Sequence, residues 1–156
     1  MNNPSVNRRL LQSALLAASV AGAASPVPKT YQPMGVLDFI IDGPTLAARG
    51  ASVDVYGTYV REGAVDVLYA DTTAVARART WPQAPPHVVV ITDSASRGLR
   101  AKLIACQTDP MTAQIGCKVA VRGHAATCEV TSATAVPRRE PCIEAESETP
   151  APDQTF

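Results

Sequence analysis

Ser52-Val53-Asp54-Val55-Tyr56-Gly57-Thr58-Tyr59-Val60 is the stretch whose reading decides the fold. Val53, Val55 and Tyr59 alternate with Asp54, Tyr56 and Thr58, the period of two expected of a strand with one face toward a core. Gly57 interrupts the alternation. A glycine weakens a strand interior unless the chain must bend there, so a bulge or sharp coil is expected at Gly57. Arg61-Glu62-Gly63-Ala64 reads as a turn and Val65-Asp66-Val67-Leu68-Tyr69-Ala70 as the returning strand, which together make a hairpin.

Toward the C-terminus, residues 71–86 form a long connection expected to wrap the surface, with Arg77, Arg79, Trp81 and several prolines. His87-Val88-Val89-Val90-Ile91-Thr92-Asp93 is β-branched in the manner of a central strand. Leu99, Leu103 and Cys106 recur at helical spacing after the helix-starting Ser96, and Thr108-Asp109-Pro110 should end that helix. Cys117-Lys118-Val119-Ala120-Val121-Arg122-Gly123 alternates again, with a weaker strand at 127–130. Pro141-Cys142-Ile143-Glu144-Ala145-Glu146 is the last strand, and the acidic tail 148–156 should be disordered. Toward the N-terminus, Val36-Leu37-Asp38-Phe39-Ile40-Ile41 is a short apolar element, stopped by a turn at Asp42-Gly43-Pro44. Residues 45–49 have room for one helical turn. Residues 24–35 are proline-rich and polar, and read as a flexible tether.

The first residues look like an export signal. Arg8 and Arg9 precede an apolar run from Leu10 to Ala21, shorter than the roughly 20 apolar residues a membrane span needs. Ala21-Gly22-Ala23 supplies the small side chains of a cleavage site, giving a signal peptide over 1–23; a cut after Ala24 also fits. Asn7-Arg8-Arg9-Leu10-Leu11-Gln12 resembles a loose twin-arginine signal, so the general-secretory and twin-arginine routes both stay open. The expected product is periplasmic or secreted, with no membrane anchor after cleavage.

The chain has 156 residues and seven aromatics, enough for one small domain over 36–147. Fourteen basic residues balance fourteen acidic ones, and loss of Arg8 and Arg9 leaves twelve basic against fourteen acidic, a mature charge near −2. No overall field draws such a chain to nucleic acid or an anionic membrane. Cys106, Cys117, Cys128 and Cys142 all lie in the mature part. An even count in an oxidising compartment reads as two disulfides. Three pairings are possible, and spacing favours neighbours: Cys106 with Cys117 and Cys128 with Cys142. A zinc site with His124 fails on spacing, since no CxxC exists. No cofactor or metal is expected.

Counted from Ser52, the order is strand, strand, strand, helix, strand, strand. That order, together with Phe39-Ile40-Ile41-Asp42-Gly43-Pro44-Thr45-Leu46-Ala47, Val53 to Tyr59, Cys117 to Gly123 and Pro141-Cys142-Ile143, resembles a group of small exported bacterial OB-fold proteins. The resemblance implies a mainly β fold, a five-stranded Greek-key OB-fold barrel with a helix between the third and fourth strands. It is closer to the anticodon-binding type in topology alone, and fold does not carry function across.

Enzyme chemistry is not expected. The histidines are His87 and His124, no G-x-S-x-G occurs, and the cysteines are better used as bridges. His124 reads as a surface residue at a strand end, and Glu144, Glu146 and Glu148 as solvated edge charge. A binding module remains, and OB barrels bind on the face of strands two and three. Tyr56, Tyr69 and Trp81 are then candidates to stack on a ligand, and Arg61, Arg77, Arg79 and Arg122, with Arg138 and Arg139, to meet phosphates or carboxylates. The expected partner is a protein, a peptide or a small anionic molecule, with an envelope-related role in view. Single-stranded nucleic acid is the alternative and a secreted OB-fold hydrolase the third reading.

Overall fold

A computed structural model of the chain describes residues 28–81, 83–131 and 137–150. The expected leader over 1–23 and the tail beyond 150 lie outside the described residues. In chain order the elements are β1 (Gln32–Gly35), α1 (Val36–Ala48), β2 (Ser52–Glu62), β3 (Val65–Tyr69), α2 (Thr72–Thr80), β4 (His87–Ile91), α3 (Arg97–Thr108), α4 (Pro110–Ile115), β5 (Cys117–Val130) and β6 (Arg138–Glu148). The fold is mainly β, a six-stranded mixed sheet in a ring-like arrangement.

The alternating stretch at Ser52 holds the ring together. Ser52 to Tyr59 pair antiparallel with β5, and Thr58 to Glu62 pair antiparallel with β3, so one strand serves two neighbours along its length. From β3 the pairing passes to β4 and then to β6, which runs parallel to β4 and antiparallel to β5. β5 returns to β2, and β1 adds a short parallel strand beside Val53 to Tyr56. Inside the ring lie Phe39, Val53, Val55, Tyr59, Leu68, Val88, Val90, Val121 and Ile143, all nearly inaccessible. Leu99, Leu103 and Cys106 of α3 close one side of this core at the expected helical spacing.

Five local expectations are corrected. The ladder runs through Gly57 with no register shift; an added Cβ there would lie 2.6 Å from the Tyr69 carbonyl and 2.7 Å from Val36, so close approach, not a bulge, calls for glycine. Asp42-Gly43-Pro44 does not stop α1. Val36, Phe39, Gly43 and Leu46 form a buried stripe at helical spacing, and Gly43 lets the helix press against Pro141, whose Cβ would be 2.7 Å from an added Cβ. Burial of that stripe outweighs the helix-breaking cost of a Gly-Pro pair, roughly 3 kcal/mol or more for the proline. The segment read as tether contributes β1, with Met34 buried beneath it. The connection after Tyr69 contains α2, capped by Asp71, whose carboxylate accepts from the Ala74 N–H at 2.7 Å. At the other end, the tail begins later than expected: Glu148 closes β6 and the Thr149 N–H donates to the Ala120 carbonyl.

Both disulfides pair as neighbours. Cys106 joins Cys117 with Cα atoms 5.9 Å apart, and Cys128 joins Cys142 at 5.8 Å. The first ties α3 to the start of β5. The second lies within the β5–β6 pair, since β5 is continuous from Cys117 to Val130 and contains Cys128. Two bridges point to an oxidising environment. No helix among the described residues is long and apolar enough to cross a membrane.

Candidate functional site

The face expected to bind, the outside of β3 and β4, is covered in part. Val67, Tyr69 and Val89 on that side join Val60, Val75 and Cys142 in a second apolar cluster, with Ala74 and Ala78 of α2 and Ile91, Ala126, Cys128 and Val130 at its margin. α2 thus covers the Tyr69 region, while a cavity of about 210 Å3 lined by Val65, Asp66, Val89, Ile91 and Cys128 among others opens beside it. Tyr69, read as a stacking residue, is fully buried, and its hydroxyl donates to Glu62 at 2.5 Å. Burial, followed by that hydrogen bond, pushes its phenol far above the ordinary range, against the opposing charge of Arg79. It is therefore a neutral core residue and is withdrawn as a ligand contact.

Arg61 lies at one pole of the ring, and Arg79 reaches the same region through its bond to Ala113. A cavity of about 200 Å3 opens there, lined by Tyr59, Arg61, Cys106, Gln107, Thr112 and Ala113 among others. Its floor is a buried polar chain. Gln107 Nε2 donates to Tyr59 Oη at 2.6 Å, and Tyr59 donates to Asp66 Oδ1 at 2.7 Å. Asp66 also accepts from Arg61 Nη1 and Thr92 Oγ1, both at 3.2 Å. Three donors compensate a carboxylate that is only 7% exposed. Burial and then the Asp66 contact raise the Tyr59 phenol far above its usual range, so it stays a neutral donor. Arg61 spends its Nε on the Gly63 carbonyl and Nη1 on Asp66, and its Nη2 has no partner among the described residues. Arg79 Nη2 donates to the Ala113 carbonyl at 2.7 Å, which ties α2 to the cavity wall.

Arg77 and Trp81 stand beside this pole at the end of α2. The Arg77 guanidinium lies 5.3 Å from the Trp81 ring centroid, and Trp81 is 60% exposed. α2, α3 and α4 together carry Arg77, Arg79, Arg97, Arg100 and Lys102 and no acidic side chain within the helices.

The other two candidates lie elsewhere. Tyr56 is half-buried against Gly35, and Arg122 is bound on the outer face of β2 and β5. Arg122 Nε and Nη2 donate to the two Asp54 oxygens at 2.8 and 2.7 Å, and the guanidinium stacks 4.1 Å from the Tyr31 ring centroid. The same face holds Tyr31 Oη donating to Glu146 at 2.9 Å, Lys29 at 3.7 Å from Glu146, and His124 Nε2 at 2.7 Å from Glu146. Burial pushes the Glu146 carboxyl up, but the Tyr31 hydrogen bond and the charges of His124 and Lys29 outweigh it and hold the group below the usual range.

Neither His124 nor Glu146 is the surface charge expected. β5 runs through His124, which pairs with Ser52 across the sheet. Glu146 is the extra residue of a β-bulge: Arg122 pairs with Ser147 and Gly123 with Ala145, leaving Glu146 without a cross-strand partner. Its carbonyl instead accepts from the Ser96 N–H at 2.7 Å. Gly123 makes the bulge possible, since an added Cβ would sit 2.1 Å from the Glu144 carbonyl oxygen. Arg138 and Arg139 are exposed at the start of β6. The sequence carried one signal for this group, an Arg-Gly-His run at a strand otherwise alternating.

Compared with known proteins, the sequence matches no family model and no curated relative.

Proposed function

We propose that the chain is an exported binding module built as an OB-type barrel, and that it receives an anionic group at the Arg61 pole. The strand order supports the barrel reading: β2-β3-β4-β6-β5 closes on β2, β4 and β6 are parallel, and α3 separates β4 from β5. The first segments of the chain and the two disulfides support export. The observation that carries the binding reading is the cavity whose lining holds Arg61, with Arg79 bonded to the wall residue Ala113. Tyr59, Gln107 and Thr112 add neutral polar groups. A small phosphate- or carboxylate-bearing ligand, or an acidic peptide side chain, fits this chemistry.

Titration with inorganic phosphate, citrate and an acidic peptide, followed by Trp81 fluorescence, tests it. At least one should bind, and Arg61→Gln should weaken binding roughly ten- to a hundredfold, the effect of losing one charge-assisted hydrogen bond of about 1.5–3 kcal/mol. Binding unchanged by Arg61→Gln and Arg79→Gln would move the site elsewhere. A single-stranded oligonucleotide is expected not to bind at near-physiological salt. A salt-dependent micromolar dissociation constant for it would favour the nucleic-acid reading instead.

A further inference from the structure

Away from the pole, Ser52, His124 and Glu146 converge from β2, β5 and β6. His124 stands directly opposite Ser52 in the antiparallel register, and its ring is held at both nitrogens. Nδ1 lies 3.3 Å from Ser52 Oγ and Nε2 lies 2.7 Å from Glu146 Oε1. An ionised carboxylate only accepts, so the neutral ring carries its proton on Nε2 and turns the Nδ1 lone pair toward the serine hydroxyl. That is a hydroxyl beside a base, and a base oriented by a carboxylate. A chance serine-histidine contact on a sheet lacks the third member. Here the bulge aims Glu146 at the ring, while Tyr31 and Lys29 support its negative charge.

Arg122 completes the group. It shares the outer face one rung away, its partner Asp54 lying two residues from Ser52 on β2, which puts it diagonal to Ser52 at a Cβ separation of roughly 7 Å. Nη1 has no partner among the described residues, since Asp54 takes Nε and Nη2. We propose that Ser52 is an acyl-accepting nucleophile, with His124 as its base and Glu146 as a positioning residue, acting on small esters that reach the open face of β2 and β5. Ser52 Oγ bonds to the ester carbonyl carbon as its proton passes to His124 Nδ1. Charge develops on the carbonyl oxygen within reach of the Arg122 side chain. The bond to the leaving alcohol breaks, and the imidazolium returns the proton to that alcohol. Water then attacks the acyl-serine, again giving its proton to His124, and releases the carboxylic acid with Ser52 restored.

The full chain is treated with a fluorophosphonate probe and, separately, with p-nitrophenyl acetate, and the labelled residue is mapped by mass spectrometry. Label on Ser52 is expected, with loss in Ser52→Ala and at least a tenfold slower reaction in His124→Gln, both variants keeping the wild-type near-UV spectrum. Mapping on the wild-type chain decides the matter even where a variant does not fold. No label, label on another residue, or an unchanged rate in His124→Gln would overturn the proposal. The charged groups around His124 are Glu146, with Lys29 behind it, and the Asp54–Arg122 pair on the next rung. In Glu146→Gln the ring loses the carboxylate that orients it, so the labelling rate at neutral pH should fall several-fold, with Glu146→Asp restoring it in part. An unchanged rate in Glu146→Gln, or no rescue by Glu146→Asp, removes Glu146 from the group.

Discussion

The two outer sides of the ring solve the same problem in opposite ways. Outside β3 and β4, α2 lays Val75 onto Val67, Tyr69 and Val89, and the surface is dry. Outside β2 and β5, no helix among the described residues intervenes, and Tyr31, Asp54, Arg122, His124 and Glu146 satisfy one another in a polar lattice. A strand buried on both faces gains apolar burial of about 25 cal/mol per Å2, whereas the polar side gains little net energy from each exposed ion pair. The dry side therefore carries more of the stability than the polar side. The OB-type expectation of a ligand face over strands two and three loses Tyr69 as a contact, because α2 has drawn that part of the face into the core.

The largest effect expected from this contrast is at the Cys128–Cys142 bridge, whose two sulfur-bearing residues belong to the dry cluster. Cys128→Ser with Cys142→Ser should lower stability by about 2–5 kcal/mol, the usual loss for a native bridge in a small secreted domain. Urea unfolding with and without reductant reads it. A loss no greater than that of a polar-side pair would break the contrast.

On the polar side the corresponding test is Asp54 with Arg122. Asp54 is 15% exposed and Arg122 36%, so the bidentate pair is partly screened by solvent. Asp54→Asn, Arg122→Gln and the double variant should give a coupling energy of about 1 kcal/mol in a double-mutant cycle. A coupling above about 3 kcal/mol would show that this side contributes to stability as a core does.

The dry side was legible in the sequence in its strands and not in its helix. Val67, Val88, Val89 and Val90 announce strands through β-branched composition, and Leu99, Leu103 and Cys106 announce α3 through spacing. α2, with one buried side chain, Val75, has almost no apolar stripe to read. α1 was hidden for a different reason: Gly43 and Pro44 are turn residues by propensity, and only the contact with Pro141, far along the chain, makes the glycine a packing choice. The disulfides were legible because neighbouring cysteines close short loops. Arg77, Arg79 and Trp81 stay together because they fall within five residues at the end of α2. The polar lattice was not legible. Tyr31 and Glu146 are 115 positions apart, Ser52 and His124 are 72 apart, and the bulge that aims Glu146 exists only once β5 and β6 are paired.

The smallest effect belongs to Glu146, and its sign follows from the direction of its shift. The folded-state carboxyl titrates below its ordinary value of 4.5, held there by Tyr31, His124 and Lys29 against the opposing cost of burial. A depressed carboxylate adds stability that is fully present above the unfolded value and is lost as pH falls through the folded one. Because the side chain is 35% exposed, screening keeps the contribution below about 1 kcal/mol. The gap in unfolding free energy between the wild-type chain and Glu146→Gln should therefore be small at pH 7. It should persist down to the ordinary carboxylate range. Below pH 4.5 it should close. Tyr31→Phe removes the largest of the favourable contacts and should narrow the gap at neutral pH without moving the point where it closes by much. A gap that stays constant from pH 7 to pH 3 would mean that the Glu146 charge does not stabilise the fold, and that the polar side is held by Asp54 and Arg122 alone.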